Sequence, residues 1–240
     1  MPLRIAFDMD GVFADFGLAC HELEDRLFGP GPCLGAGDPE TEEEAQQSED
    51  PPSAGDGDRA DGAPDLSSHA ARWCRDSIWH AIQSTSNFWE TLKPIDEGAV
   101  ARTHELMLRH RWEVFFITQR PGTEGDTVQR QTQRWLVAHG FDLPSVLVLG
   151  GSRGAAAGAL RLNYHVDDSP QHCVDVMCES RARPILIVPD SDDQVAARAR
   201  KLGIGTARSI GACLDILEEV TTARQEPGLL TRIAAAVGWK

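Results

Sequence analysis

Five short apolar runs alternate along the chain with segments whose apolar residues recur at helical spacing. The runs span 3–8, 112–118, 146–150, 164–168 and 184–188. Runs of this length are typical of strands buried on both faces, and strands that alternate with helices form parallel sheets. We therefore predict an α/β fold, namely a Rossmann-like parallel sheet with helices on both faces. The predicted helices are 14–28, 67–83 with Ser67 or Ser68 as its cap, 97–110, 127–139, 154–161, 170–181, 192–202, 211–223 and a short one near the C-terminus.

The segment from 29 to about 68 differs in composition from the rest of the chain. It holds eleven acidic residues and one arginine, and so carries ten of the fourteen net negative charges. Because it has almost no large apolar side chains, burial cannot offset the entropy lost on ordering, and we predict that it is disordered. An acidic arm that docks onto a basic partner is the alternative interpretation.

Charge and hydropathy exclude two classes of binding partner for this protein. Outside the acidic segment the net charge is close to neutral, whereas nucleic-acid polymers require a basic surface, so we expect no nucleic-acid partner. The chain has no run of about 18 apolar residues and no apolar secretory signal, so we expect no membrane association. We expect a cytoplasmic protein whose six irregularly spaced cysteines are reduced thiols. The sequence identifies no protein partner.

Polar residues with complementary chemistry follow four of the predicted strands. Asp8 and Asp10 follow the first, Thr118 ends the second, Arg153 follows the third, and Asp167 and Asp168 end the fourth. The carboxyl ends of parallel strands meet at one edge of the sheet, where ligands bind. We therefore expect these side chains to converge.

The acidic residues of this set suit phosphoryl transfer. Asp8 would attack phosphorus and form an aspartyl-phosphate, while Asp10 would protonate the leaving oxygen and then activate water. A Mg²⁺ ion would neutralise the charge between the nucleophile and a doubly negative phosphate. The predicted metal ligands are the four carboxylates Asp8, Asp10, Asp167 and Asp168.

The predicted phosphate contacts come from the second and third strand ends. Thr118 and the amides after it would bind phosphate oxygens, and Gln119 and Arg120 would lie near them. Arg153 would balance the negative charge of phosphate and carboxylate. A polar loop that caps the next helix is the alternative for Gln119 and Arg120. These residues together predict a small phosphorylated metabolite as the substrate.

The motifs that carry these residues resemble those of the haloacid dehalogenase-like hydrolase superfamily. FDMDGVFADF resembles the first motif, and it is similar to that of the 5'(3')-deoxyribonucleotidase-like phosphatases. FFITQRPG resembles the second motif, with Thr118 in the phosphate-binding place, and YHVDDSPQH resembles the fourth, with Asp167 and Asp168 as its acidic pair. The resemblance covers about 3–28 and 88–190. It implies a magnesium-dependent phosphatase, with a nucleotide as the favoured substrate.

The resemblance also implies a small helical cap inserted after the first strand. We expect the hydrolase core at 1–14 and 90–225, the cap with its acidic segment at 15–89, and a C-terminal helical tail at 226–240. The cap residues expected near substrate are Phe13, Asp15, Phe16, Trp73 and Trp79. Core packing within the cap is the alternative for the two tryptophans.

Arg153 stands where the third motif of the family usually has lysine. Arginine keeps the charge but is planar and bulkier, so we expect weakened or altered activity unless Lys93 substitutes. Two other functions remain open. One is a catalytically weak or inactive phosphate-binding or scaffold member of the same fold. The other is a phosphorylatable receiver-like signalling domain, although receivers place the acidic pair at the first strand and the acceptor at the third. His165 and His172 receive no predicted role.

Overall fold

The computed structural model of the chain describes residues 2–30, 66–189, 191–224 and 237. Within these residues six strands form one sheet, in the order β3-β2-β1-β4-β5-β6, and each neighbouring pair is parallel. The strands are β1 Arg4–Asp8, β2 Glu113–Thr118, β3 Val146–Val148, β4 Tyr164–Asp167, β5 Arg183–Ile187 and β6 Gly205–Ala207. The predicted α/β fold with a parallel sheet is confirmed.

Eight α-helices connect or follow these strands in the described part of the chain. They are α1 Phe16–Phe28, α2 Leu66–Ser84, α3 Ala99–His110, α4 Val128–Ala138, α5 Arg153–Leu160, α6 Pro170–Glu179, α7 Asp193–Leu202 and α8 Ile210–Ala223. Three of them begin at serine caps whose hydroxyls accept from backbone amides, at Ser152, Ser169 and Ser209. Such caps satisfy amides that have no partner within the helix, so the sequence itself fixes where these helices begin.

Both faces of the sheet are covered by apolar side chains. On one face, Ala6 of β1 and Ile117 of β2 pack with Ala157 of α5 and Val176 of α6. On the other face, the ring of Phe116 packs edge-on against that of Phe141, with ring centroids 4.9 Å apart. Successive strand residues point to opposite faces, so apolar residues at consecutive positions fill both layers.

The strand β6 was not predicted from the sequence. It contains only Gly205, Thr206 and Ala207, and glycine and alanine have low strand propensity. These residues become a strand because they pair with Ile185–Ile187 at the edge of the sheet. Tertiary pairing, which no local pattern records, decides this element.

The chain divides into two compact units, Met1–Gly17 with Ser86–Lys240, and Leu18–Thr85. In the second unit, Ile82 of α2 is buried, and the rings of Phe28 and Trp73 lie 5.4 Å apart. Trp73 is 63% exposed, so it is a surface residue, and core packing, the alternative given for it, does not apply.

Two predictions fall largely outside the described residues. The predicted disordered segment, 29–68, coincides almost entirely with 31–65, and of the predicted tail, 226–240, only Val237 is described. Among the helices that the structure describes, none is long and apolar enough to cross a membrane.

Candidate active site

The order of the strands reverses between the two central strands, β1 and β4. From β1 the chain builds outward through β2 and β3, then crosses back to add β4 on the other side of β1. Ligands of open α/β sheets bind where the strand order reverses in this way, outside the carboxyl ends of the strands. Asp8 is the last residue of β1 and Asp167 the last of β4, so both lie at this position.

A tight turn after β1 gathers the first two acids. The backbone amide of Asp10 donates to Oδ2 of Asp8 over 3.0 Å, and the amide of Ala14 donates to the carbonyl of Met9 over 2.9 Å. Gly11 has a φ of +72°, which glycine adopts at little cost. Asp8 and Asp10 are only 4% and 6% exposed, so the turn holds two carboxylates in a nearly buried position.

Arg153 reaches this turn from the first residue of α5. Its Nη2 donates to Oδ1 of Asp8 over 2.8 Å, and its Nε lies 3.9 Å from Oδ2 of Asp167. The guanidinium is buried, with 3% of the side chain exposed. Arg153 therefore joins the ends of β1 and β4 with a permanent positive charge. The side chains of Asp8, Arg153 and Asp167 lie together, as we expected from their positions after the strands.

Asp167 is held by His165 and His172, two histidines without a predicted role. Its Oδ2 lies 2.8 Å from Nε2 of His165, and its Oδ1 lies 3.2 Å from Nδ1 of His172 and accepts from the amide of Ser169 over 2.9 Å. Burial alone would raise the pKa of the Asp167 carboxyl, but hydrogen bonds from both histidines and their charge outweigh it and hold the pKa below its ordinary value. For His172 burial acts in the other direction and lowers the pKa. The hydrogen bond to Asp167 raises it by more, so the pKa of His172 lies above its ordinary value.

Asp168 is half-buried and lies against the turn after β1. A Cβ atom at Gly11 would overlap with the carboxylate of Asp168. The missing side chain of Gly11 therefore makes room for Asp168 beside the residues that follow Asp8.

The second strand brings Thr118, Gln119 and Arg120 to the same edge. Thr118 is 1% exposed and ends β2, which pairs with β1 so that Asp8 lies opposite Ile117. Gln119 is half-buried. Arg120 is buried and donates through Nε and Nη2 to the two carboxylate oxygens of Asp10, over 2.8 Å and 2.6 Å.

The structure gives Arg120 partners within the protein that were not predicted from sequence. Its third nitrogen, Nη1, donates to Oγ1 of Thr132 over 3.0 Å, and its guanidinium carbon lies 4.8 Å from the ring centroid of Trp89. Each of its nitrogens donates a hydrogen bond within the protein, and Nη1 and Nη2 each carry a second N–H. The predicted contact with phosphate stays a prediction. Sequence analysis missed Thr132 and Trp89, because both are distant in sequence from Asp10 and follow no motif.

The outcome for the remaining predicted residues is mixed. Phe13 is 1% exposed and packs its ring 5.5 Å from that of Phe7, so it belongs to the core rather than to a substrate surface. Lys93 has an exposed side chain, and its carbonyl accepts from the amide of Asp15 over 2.8 Å. The roles predicted for Asp15, Phe16 and Trp79 stay predictions.

The carboxylates at the strand ends offer the oxygen ligands that a magnesium ion prefers. Among the described residues no group of three or more His, Cys, Asp or Glu side chains is arranged to hold a metal. Magnesium, however, is commonly bound through one or two carboxylates, with water and phosphate oxygens completing its shell. Asp8 and Asp168 lie beside the turn. Both oxygens of Asp8, like both oxygens of Asp167, already accept hydrogen bonds, so a metal ion would use their remaining lone pairs.

Several solved structures are similar to this chain in fold. A protein of Thermotoga maritima described as a beta-phosphoglucomutase matches with a TM-score of 0.51 and 18% identity, over 91% of this chain and 99% of that chain. A haloacid dehalogenase-like family hydrolase of Streptococcus pneumoniae matches with a TM-score of 0.42 and 12% identity, over 78% and 85%. One from Xanthomonas campestris matches with a TM-score of 0.42 and 12% identity, over 94% and 95%. No protein-family model and no curated protein matches the chain.

Proposed function

We propose that this chain, which has the fold of the haloacid dehalogenase-like hydrolases, is a phosphatase that hydrolyses a small phosphomonoester. The observation that carries the proposal is the pairing of Asp8 and Asp10 in one nearly buried turn at the point where the strand order reverses. A nucleophile and an acid/base two residues apart satisfy the geometric need of a two-step hydrolysis.

In the proposed first step, an oxygen of Asp8 attacks phosphorus and the bond from phosphorus to the leaving oxygen breaks. Asp10 gives its proton to that oxygen, so an alcohol leaves and Asp8 carries the phosphoryl group. In the second step Asp10 takes a proton from water, whose oxygen attacks the same phosphorus. Inorganic phosphate leaves, and Asp8 is again a free carboxylate.

Two further groups support these steps. Arg153 donates to Asp8 over 2.8 Å and would stabilise the negative charge that nucleophile and phosphate bring together. Thr118, buried at the end of β2, would donate its hydroxyl to a phosphate oxygen. Thr118 ends a strand of the sheet and Arg153 begins α5, so both side chains are on regular elements of the fold.

Asp8 and Asp168 are the proposed magnesium ligands. When bound, Mg²⁺ would screen the repulsion between the Asp8 carboxylate and a doubly negative phosphate and orient the attack. Asp167 would instead hold the end of β4 through His165, His172 and the amide of Ser169. We keep a nucleotide as the favoured substrate, because the first motif resembles that of the deoxyribonucleotidase-like phosphatases.

The decisive experiment is release of phosphate from p-nitrophenyl phosphate by the purified protein. We expect turnover that requires Mg²⁺, stops with EDTA and is lost in Asp8→Asn. Asp142→Asn is the matched control, since Asp142 is exposed on the surface, and it should retain turnover. Turnover unaffected by EDTA or by Asp8→Asn would refute the proposal. A panel of nucleoside monophosphates and sugar phosphates would then rank the substrates.

A further inference from the structure

The pairing of Asp10 with Arg120 is the most constrained contact at the strand ends. Both carboxylate oxygens of Asp10 accept from one guanidinium, over 2.8 Å and 2.6 Å. The side chains are only 8% and 1% exposed. A two-point contact between a planar guanidinium and a carboxylate fixes the orientation of both groups, which a single hydrogen bond does not.

Arg120 is itself held from two further directions. Thr132 of α4 accepts from its Nη1 over 3.0 Å, and the ring of Trp89 lies under the guanidinium at 4.8 Å. Trp89 is in turn fixed, because its amide donates to the side-chain oxygen of Gln131 over 3.1 Å and its Nε1 donates to the carbonyl of Pro121 over 3.0 Å. The guanidinium therefore has one orientation before any substrate binds.

This arrangement leaves lone pairs of the Asp10 carboxylate that Arg120 does not use. Each carboxylate oxygen has two lone pairs, and the contact with Arg120 uses one on each. Without Arg120, the carboxylate would be free to rotate about its side-chain bonds and would often point away from the leaving oxygen. Misplacement of a reacting group by about 1 Å costs on the order of a hundredfold in rate.

We propose that Arg120 is a positioning residue that aims the Asp10 carboxylate at the leaving oxygen, with Thr132 and Trp89 holding Arg120 in place. The inference rests on the proposed function, since it assigns the orientation of the same acid/base. It gives Arg120 a role that acts through Asp10 and differs from the phosphate contact predicted from sequence.

Dependence on the leaving group separates this role from a structural one. An alkyl oxygen needs a proton to leave, whereas p-nitrophenolate leaves readily without one. We expect Arg120→Met to lower kcat for an alkyl phosphate, such as glycerol phosphate, by about a hundredfold, and to lower kcat for p-nitrophenyl phosphate far less. KM should change little for either substrate. Arg120→Lys should fall between, because an ammonium group keeps the charge but cannot make the planar two-point contact.

Two further variants separate the positioning role of Arg120 from a general effect of changing this region. Thr132→Val removes one support of Arg120 without touching Asp10, and we expect a smaller loss with the same preference for alkyl substrates. Arg134→Met changes an arginine of the same helix that pairs with Glu90 and Asp126 at the surface, and it should leave both rates unchanged.

The stability of a double variant tests the contact without any turnover. Asp10→Asn and Arg120→Met should each lower Tm, and the double variant should lose less than the sum of the two shifts. Additive shifts would overturn the inference, as would equal losses of kcat on both substrates or a large rise in KM. If the wild-type protein hydrolyses neither substrate, the proposed function fails and the positioning role fails with it. Turnover by the wild type with equal losses in Arg120→Met refutes only the positioning role.

Discussion

At the residue scale, Arg153 is the side chain on which the charge balance of the site depends. It lies between two buried carboxylates, with Nη2 2.8 Å from Asp8 and Nε 3.9 Å from Asp167. Removal of one partner from a buried ion pair leaves a buried charge uncompensated, and this costs more than the pair contributes. The arginine thus serves the fold as well as the proposed chemistry.

We therefore expect Arg153→Ala to lower the free energy of unfolding by about 3 kcal/mol. Arg153→Lys should lose much less, because lysine keeps the charge. Urea denaturation in EDTA, where no metal replaces the missing cation, measures both. The surface variant Arg198→Ala is the control. A stability of Arg153→Ala equal to that of the control would show that the carboxylates do not depend on Arg153.

The sequence predicted which residues of the candidate site lie at the strand ends. It did not predict which of their side chains contact one another. Strand-end placement brought Asp8, Asp10 and Asp167 to one edge because chain order and parallel pairing fix it. The contact between Asp10 and Arg120 joins residues 110 positions apart and depends on side-chain orientation, which no local pattern records. His165 did leave a signal, since it lies two residues before Asp167 on the same strand and therefore on the same face.

At the element scale, the packing of α5 against α6 depends on a glycine. A Cβ atom at Gly154 would overlap with the backbone carbonyl oxygen of Asp175 in α6. At Gly158, one turn later, a Cβ atom would lie 3.4 Å from the carbonyl oxygen of Glu179, an ordinary contact. The first glycine allows the two helices to approach closely, and the second is not required for this purpose.

These two glycines make a matched pair for mutation. Gly154→Ala should lower the free energy of unfolding by about 1–3 kcal/mol, because α5 must move away from α6. Gly158→Ala should be neutral or stabilising by up to about 1 kcal/mol, since alanine favours the helix. Thermal and urea denaturation of both variants measure the difference. Equal stabilities would mean that α5 and α6 do not approach as closely as described.

The elements themselves were predicted well where they are long or strongly apolar. The bounds of β1, β2, β4 and β5 agree with the predicted runs within one residue. The run at 146–150 shortened to β3, Val146–Val148, because strand pairing with β2 ends at Thr118. Local patterns locate a strand, but its partner decides where it ends.

At the scale of the whole molecule, charge is distributed very unevenly. Residues 31–65 hold the eleven acids and one arginine that account for ten of the fourteen net negative charges. A phosphatase acts on anions, and an excess of negative charge on the same molecule lowers the local concentration of an anionic substrate wherever its field reaches the site. The acidic segment is therefore expected to hinder, rather than promote, the proposed reaction.

Replacement of 31–65 by a short Gly/Ser linker tests this expectation. We expect turnover to survive, since each doubling of loop length changes the free energy of loop closure by only about 0.6 kcal/mol. KM for p-nitrophenyl phosphate should fall at low salt and match the wild-type value at high salt, because the Debye length shrinks from about 30 Å at 0.01 M to about 3 Å at 1 M.

A second variant separates charge from length. It keeps all 240 residues but changes the acids of the segment to their amides. It should show the same fall in KM at low salt, since only charge is removed. Loss of turnover in the linker variant would contradict the prediction. A fall in KM that persists at high salt would mean that the segment acts by contact instead of by its field.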